Sequence, residues 1–300
     1  MEKEIMNSIK HILITALAVF VGTVQNVNAQ LGPLSAQYYQ TPYLANPAMA
    51  GMKQGLAIAM GYRAQWSSVP GAPRQQVLAV SYGQNRTGWG ANLYLDKAGL
   101  MRQLRALASY AYHLPLSEKQ ALHFGLSIGV SQQRLALEDV NGSINDNSAL
   151  RFNERGAYLD GDFGIAYTLK GLKVETALPN LNQLLKKEER NNMVDLPTFY
   201  SAITYKFNIG SQDWQLEPKI AYRGVKGFDG IVDAGTALWM EDEQIMLMGM
   251  YHSSKSATFG LGMNLKKRYQ ITGMYTTQTS SLTSYSNGSF ELGLGIRFGR

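Results

Sequence analysis

The chain has 300 residues, a formal net charge of +6 and no cysteine, and only 17% of its residues are charged. The lack of cysteine excludes a disulfide framework, a thiolate metal site and a lipid-modified cysteine behind a signal sequence. The basic residues are scattered along the sequence, which argues against a nucleic-acid footprint. A membrane surface or an anionic glycan is the more natural counter-charge.

Residues 1–29 are predicted to be a secretory signal peptide. Lys3 and Lys10 form a weak basic region, an apolar run covers Ile12 to Val24, and small residues precede Gln30. The run is shorter than the roughly 20 residues that a membrane-spanning helix needs. Export with cleavage before Gln30 is therefore expected, and a retained membrane anchor is the alternative.

An uncharged, aromatic segment follows, with the sequence SAQYYQTPYLANPAMAG from Ser35 to Gly51. Its prolines oppose a regular helix or a central strand. Its tyrosines are unusual for a solvated linker. We therefore assign residues 30–54 to a separate N-terminal segment.

From Gly55 onward, runs of about eight to ten residues alternate between apolar and small or polar side chains. Examples are GLAIAMGYR, ALHFGLSIGVSQ, SATFGLGMNL and SFELGLGIRF. A period of two indicates β-strands, because successive side chains point to opposite faces. The second face is rich in Gly, Ser, Ala and Thr, which is typical of a closed membrane barrel with an apolar outside. A sheet in a bilayer must close, because an open edge leaves backbone groups unpaired.

The alternating runs number about fourteen, within a range of about twelve to fourteen, and bacterial barrels have an even number of strands. The predicted strands begin at Gly55, Arg74, Gly88, Met101, Ala121, Tyr158, Gly171, Pro197, Trp214, Ile231, Gln244, Ser256, Tyr269 and Ser289. Every second connection is short, whereas the longest span Ala136 to Gly156 and Pro179 to Leu196. Short periplasmic turns and longer outer loops are typical of outer-membrane barrels. Residues 55–300 are thus predicted to form an all-β, transmembrane antiparallel β-barrel with both termini periplasmic.

Tryptophans fall near the predicted strand ends, with Trp89, Trp214 and Trp239 at the periplasmic side and Trp66 at the outer side. Tryptophan favours membrane interfaces, because its ring tolerates apolar surroundings while its polar N–H needs a partner. We interpret the set as an interfacial girdle, with ordinary core aromatics as the alternative.

Two strands depart from the pattern. Pro218 interrupts WQLEPKIAYR, so that strand is expected either to begin at Lys219 or to contain a bulge. In QIMLMGMYH both faces are apolar, with Met246, Met248 and Met250 on the second face. This methionine row needs either an apolar partner in the lumen or neighbouring side chains in a narrow barrel.

No catalytic, cofactor-binding or metal-binding residue is predicted. His113 and His123 flank a short turn and are expected to face each other, but no carboxylate lies nearby to support a metal site. The run from His252 to Ser254 suggests a hydrolase, yet adjacent strand residues point to opposite faces and no acidic residue stands out as a triad partner. The glycine-rich runs lie in strands, without the following helix that a phosphate site needs.

Several stretches resemble the PorP/SprF family of outer-membrane proteins in the type IX secretion system of Bacteroidota. They are QYYQTPYLANPAMAG, GYRAQWSSVPGAP, SYAYHLPLSEKQALHFGLSIGVSQQ and the ending SYSNGSFELGLGIRFG. Residues of the last strand also look like the signal by which barrel-assembly machinery recognises its clients, namely Glu291, Gly293, Ile296 and Phe298. Gly299 and Arg300 follow the last aromatic residue, which is a small departure from that signal.

The resemblance implies an accessory role in secretion, without catalysis. The implied partners are a secreted or surface protein of the type IX pathway, such as an adhesin with a C-terminal secretion signal, together with outer-membrane lipid. The periplasmic lipoprotein ring of the same system is a further implied partner. A passive small-molecule pore and an outer-membrane hydrolase are the alternatives.

The N-terminal segment is the most family-specific part of the sequence. We expect it to pack in or across the periplasmic mouth of the barrel, with its tyrosines against small lumen-facing residues. A strip that docks a partner is the alternative. The residues assigned to this segment are Tyr38, Tyr39, Pro42, Tyr43, Asn46 and Pro47.

Overall fold

The structure is a computed structural model that describes residues 36–66, 71–137, 147–154, 156–182, 197–210, 214–225, 230–277 and 288–299. The predicted signal peptide lies outside these residues, as do residues 138–146 and 155 of the first long connection and residues 183–196 of the second. None of the described helices is long and apolar enough to cross a membrane.

Fifteen strands form a single antiparallel sheet. They are β1 Gly55–Gln65, β2 Arg74–Gln84, β3 Thr87–Ala98, β4 Met101–Ser117, β5 Gln120–Leu135, β6 Tyr158–Leu169, β7 Leu172–Leu178, β8 Pro197–Tyr205, β9 Phe207–Ile209, β10 Trp214–Val225, β11 Ile231–Met240, β12 Ile245–His252, β13 Ser256–Leu265, β14 Tyr269–Thr276 and β15 Ser289–Phe298. The sheet closes because β15 pairs with β1. Both β8 and β9 pair with β10, so the sheet is a barrel of fourteen strands with one extra short strand. The predicted all-β barrel is confirmed.

The extra strand arises at Pro218. Strand β10 runs through this proline and pairs it with Thr236 of β11. On its other side, the interruption between β8 and β9 falls opposite Pro218, since Lys219 pairs with Thr204 and Leu216 with Phe207. Proline has no N–H to donate, so the ladder is broken there. The alternative of a start at Lys219 is therefore wrong, because β10 begins at Trp214. The strand does contain an irregularity in register, but it lies between Gly224 and Val225 and not at Pro218.

The short connections predicted from the sequence gather at one end of the barrel, which we call the short-turn end. Strand β1 begins there and β15 ends there. The opposite end, here the long-connection end, holds the links from β5 to β6, β7 to β8 and β14 to β15. Its links from β3 to β4 and from β12 to β13 are also tight.

The outer face of the barrel is apolar. Exposed side chains include Leu126 at 56%, Ile128 at 64%, Leu159 at 67%, Phe259 at 59% and Leu292 at 62%. The alternate positions point into the lumen, and most of them are small, polar or charged. This arrangement matches a barrel surrounded by lipid.

Trp239 departs from the predicted girdle. Trp89 and Trp214 are exposed on the outer face near the short-turn end. Trp239 instead points into the lumen, where its Nε1 donates to Glu217 Oε2 at 3.0 Å. Strand β11 carries apolar residues on both faces, so its alternation gave no means of telling inside from outside.

Candidate functional site in the barrel lumen

Residues 36–51, the lumen segment, pass through the inside of the barrel. The backbone N–H of Ala36 donates to Glu291 Oε1 at 3.2 Å, close to the long-connection end of β15. Gly51 lies against Gly83 and Gly88, close to the short-turn end. The segment therefore occupies more of the lumen than the mouth to which the sequence assigned it.

Short helices give the lumen segment its shape. Helix α1, Gln37–Gln40, is followed by the 3-10 helices Pro42–Leu44 and Pro47–Met49. Each 3-10 helix begins with a proline, whose fixed φ suits a first helical position. Asn46 caps the second, because its Oδ1 accepts from the Ala48 N–H at 3.0 Å.

The wall beside residues 43–50 is built from glycines, which we call the glycine seat. A Cβ added at any of its members would overlap the lumen segment, at Ala50, Tyr43, Ala48 and Asn46 in turn. At Gly88 and Gly125 the nearest atoms belong to the backbone of the segment, and only glycine allows so close an approach of two backbones. At Gly90 and Gly164 the missing Cβ makes room for the side chains of the segment. The members of the glycine seat are Gly88, Gly90, Gly125 and Gly164.

Asn46 is the polar centre of the glycine seat. It is fully buried, and its Nδ2 donates to the backbone carbonyls of Ile165 at 3.1 Å and Thr176 at 3.3 Å. With the Ala48 N–H on its Oδ1, the amide has partners for both of its ends. The side chain thus ties the segment to β6 and β7.

Neutral polar contacts complete this half of the lumen. The Tyr43 hydroxyl lies 2.8 Å from Ser109 Oγ. His113 and His123 face each other as predicted, with their Nδ1 atoms 2.8 Å apart. His113 Nε2 lies 3.1 Å from the Ala50 carbonyl oxygen, so the pair also holds the segment. Within the described residues, no group of three or more potential ligands could hold a metal ion.

A charged cluster surrounds Tyr38 in the other half. The Tyr38 hydroxyl donates to Asp233 Oδ2 at 2.6 Å. Arg223 Nε also donates to Oδ2, at 2.7 Å, and His252 Nδ1 lies 2.6 Å from Oδ1. His252 Nε2 lies 2.7 Å from Thr258 Oγ1. The charged cluster comprises Tyr38, Arg223, Asp233, His252 and Thr258.

Asp233 is the acidic partner of His252 that sequence reasoning missed. The two residues are directly paired between β11 and β12, and both point into the lumen. Because β11 and β12 form a hairpin, pairing their residues one by one from the turn would have placed Asp233 opposite His252. The hydroxyl at His252 belongs to Thr258, whereas Ser254 contacts Ser256 and Ser253 bonds the Val232 N–H.

The Asp233–His252–Thr258 array has the residue types of a catalytic triad but not the access. Thr258 is fully buried, and its hydroxyl also lies 2.7 Å from Thr276 Oγ1. Tyr38 caps Asp233 from the lumen side. A nucleophile must reach its substrate, so we interpret the array as a fixed contact for the lumen segment.

Tyr38 and Tyr39 also surround a buried cation. Lys219 Nζ lies 4.7 Å from the Tyr38 ring centroid and 5.2 Å from that of Tyr39. The Tyr39 hydroxyl donates to the Glu217 carbonyl oxygen. The polar neighbours of Tyr38 and Tyr39 are large and charged, but both tyrosines also belong to a buried cluster with small lumen-facing alanines. Tyr43 lies beside Gly90 and Ser109. The alanines of the cluster on the strands are Ala177, Ala202, Ala221 and Ala237.

The methionine row contacts the lumen segment. Met246, Met248 and Met250 are at most 5% exposed on the lumen side of β12. Met250 Sδ lies 3.6 Å from the Tyr38 hydroxyl, and the Gln40 amide contacts Met246 Sδ. Methionine suits such irregular surroundings because its side chain is flexible and polarizable.

The residues proposed as an assembly signal divide between the two faces of β15. Glu291 points into the lumen, accepts from Ala36 and lies 3.3 Å from Arg63 Nε. Gly293 lies beside Thr272, while Ile296 and Phe298 are on the outer face. Their role in assembly stays a prediction.

The fold and the occupied lumen define a class of protein, an outer-membrane β-barrel that holds its own N-terminal segment. The toluene transporter TbuX of Ralstonia pickettii is similar in structure, with a TM-score of 0.52 at 11% identity over 92% of this chain and 96% of that one. Omp33 of Acinetobacter baumannii aligns with a TM-score of 0.49 at 6% identity, over 83% of this chain and 100% of that one. At 11% identity the likeness to TbuX shows the fold alone. No curated protein matches the sequence.

The sequence identifies the family. Residues 27–296 match the family described as type IX secretion system membrane protein PorP/SprF. The match covers nearly the whole chain, including the lumen segment and the barrel. The chain belongs to this family, and it is an outer-membrane protein.

Proposed function

We propose that the protein is an accessory barrel of type IX secretion that supports the export or surface attachment of a partner protein. The observation that carries the proposal is the family match over residues 27–296. The partner class is a secreted or surface protein of the same pathway, such as an adhesin with a C-terminal secretion signal. The periplasmic lipoprotein ring of the system is a second proposed partner.

The occupied lumen supports this role over that of a passive pore. Tyr38, Asn46 and Ala48 are almost completely buried inside the barrel. An open pore would leave such positions in contact with water. We therefore propose that the lumen segment closes the barrel, so that the protein acts through its surfaces.

Deletion of the gene tests the accessory role. We expect a surface protein of the pathway to be lost from the cell exterior and to accumulate in the periplasm, as measured by surface biotinylation and mass spectrometry. Expression of the intact protein from a plasmid should restore display. Unchanged secretion and display in the deletion strain would contradict the proposal.

Planar-bilayer conductance separates the accessory barrel from the pore. The purified protein should show no steady current, because the lumen segment fills the channel. A large, stable conductance from the intact protein would favour the pore.

We also propose that the short-turn end faces the periplasm, as in other outer-membrane barrels. The sequence has no cysteine, so single cysteines can be labelled without background. Gly99→Cys at the long-connection end should react with an impermeant maleimide on intact cells. Lys119→Cys at the short-turn end should react only after the outer membrane is permeabilised. The reverse pattern would overturn the orientation.

A further inference from the structure

In the strands that the structure describes, the charged residues on the outer face of the barrel are few and all basic. On each strand the lipid-facing positions alternate with the lumen positions. The buried residues of a strand therefore identify which of its positions face the lumen and which face the lipid. In the described strands, the lipid-facing positions with a charged side chain are Arg74, Lys97, Arg102 and Arg134.

The register of the sheet brings these residues into one row, which we call the basic row. Arg74 pairs directly with Lys97. Lys97 pairs with Arg102, and Arg102 pairs with Arg134. Adjacent strands lie about 4.8 Å apart, so the row crosses four strands over about 14 Å. Residues scattered through the sequence thus form a continuous basic strip.

The basic row marks the border of the apolar band at the long-connection end. Arg74 begins β2, Lys97 lies one residue before the end of β3, and Arg134 lies one before the end of β5. Arg74, Lys97 and Arg134 are exposed, and Arg102 is half-buried. Towards the middle of the barrel the outer face becomes apolar, with Leu78 and Val130 exposed on β2 and β5.

Four basic side chains in register beside an apolar band form a local concentration of positive charge, which attracts anions at a membrane border. We propose that the basic row binds the phosphate groups of an outer-leaflet glycolipid of the lipid A class. Arginine binds phosphate through two parallel hydrogen bonds, and basic residues at a membrane border attract anionic headgroups.

The position of the basic row favours a lipid over a soluble anion. The row lies on the lipid-facing side, at the level of the lipid headgroups. A lipid whose phosphate binds there can pack its acyl chains on the apolar band. The inference goes beyond the proposed secretion role and needs only that the long-connection end faces outwards.

Lipid binding by the mature protein in detergent tests the proposal. Native mass spectrometry would compare bis-phosphorylated lipid A with the same lipid after removal of its phosphates. The test variant combines Arg74→Gln, Lys97→Gln, Arg102→Gln and Arg134→Gln. The control variant removes four exposed cations at the short-turn end, with Arg86→Gln, Lys119→Gln, Lys170→Gln and Lys266→Gln. A third variant keeps the charge, with Arg74→Lys, Arg102→Lys and Arg134→Lys.

We expect the intact protein, the control and the charge-keeping variant to retain phosphorylated lipid A. The test variant should bind it roughly tenfold or more weakly. It should still unfold in a single transition in lipid-free detergent, which shows that the barrel remains folded. Equal binding by the test variant, or equal loss in the control, would overturn the proposal. So would equal retention of dephosphorylated lipid A, which would assign binding to the acyl chains. If inorganic phosphate bound as strongly as lipid A, the ligand would be a soluble anion and the proposed lipid would be wrong.

Discussion

The glycine seat and the charged cluster hold the same segment by opposite means. At the glycine seat, the wall residues have no side chains, so that Ala48 and Asn46 can lie directly against the backbone of the wall. At the charged cluster, large side chains converge, and Tyr38 joins an ion pair between Arg223 and Asp233. The contact at the glycine seat depends on close packing. The contact at the charged cluster depends on the pairing of buried charges of opposite sign. Substitutions should therefore fail in different ways in the two regions.

Asp233→Ala should have the largest effect. It leaves the Arg223 guanidinium, which is only 7% exposed, in the lumen without this carboxylate. Removing one partner of a buried ion pair costs about 3–5 kcal/mol. We expect a loss of that size in the free energy of unfolding, measured by denaturant titration in detergent micelles. A loss below about 1 kcal/mol would show that the cluster is not held by charge.

Gly125→Leu should be next, because a side chain at this position overlaps the backbone of Pro47 and Ala48. Overpacking of a close-packed site costs about 1–3 kcal/mol. Limited proteolysis should then cleave within the lumen segment, since the added side chain displaces it. Gly249→Leu is the matched control, because nothing lies within 4 Å of a Cβ there. Equal protease resistance in both variants would refute the glycine seat.

Asn46→Ala should have an intermediate effect. It removes the bonds to Ile165 and Thr176 as well as the helix cap on Ala48, without adding bulk. Buried polar groups left unpaired cost about 1–3 kcal/mol, so we expect about 2 kcal/mol in denaturant titration. Asn208→Ala, at an exposed position of β9, is the control. A similar loss in both variants would argue against a special role for Asn46.

Tyr38→Phe should have the smallest effect, about 1 kcal/mol, since it removes one hydrogen bond. Asp233 keeps Arg223 and His252, and the ring remains over Lys219. A loss as large as that of Asp233→Ala would mean that the tyrosine, and not the ion pair, organises the cluster.

Local alternation predicted the barrel well because each strand has an apolar outer face, and all fourteen predicted strand starts agree with the structure within one residue. The extra short strand was not predicted. It results from Pro218 in β10, which interrupts the pairing of the neighbouring strand, and the local pattern of that neighbouring strand does not contain this information. The glycines of the lumen face were evident in the sequence. Their purpose was not, because it depends on a segment that is distant along the chain.

The charged cluster was invisible for a related reason. Tyr38 and Asp233 are 195 residues apart, and nothing in either neighbourhood indicates the contact. The pairing of Asp233 with His252 is local to a hairpin and could have been found from register. The tyrosine and proline pattern of the segment suggested packing inside the barrel, but not which wall each tyrosine would meet.

A cysteine pair tests most directly whether the lumen segment occupies the barrel in cells. A Cβ at position 164 would lie 3.0 Å from the Cγ of Asn46. The sulfur of a cysteine at position 46 would take the place of this Cγ, so a disulfide to a cysteine at position 164 can form. We expect Asn46→Cys combined with Gly164→Cys to form a disulfide on oxidation, detected as linked peptides by mass spectrometry. Asn46→Cys combined with Gly273→Cys, which lies on the outer face, should not. Free, alkylatable thiols at both positions of the first pair would contradict the account.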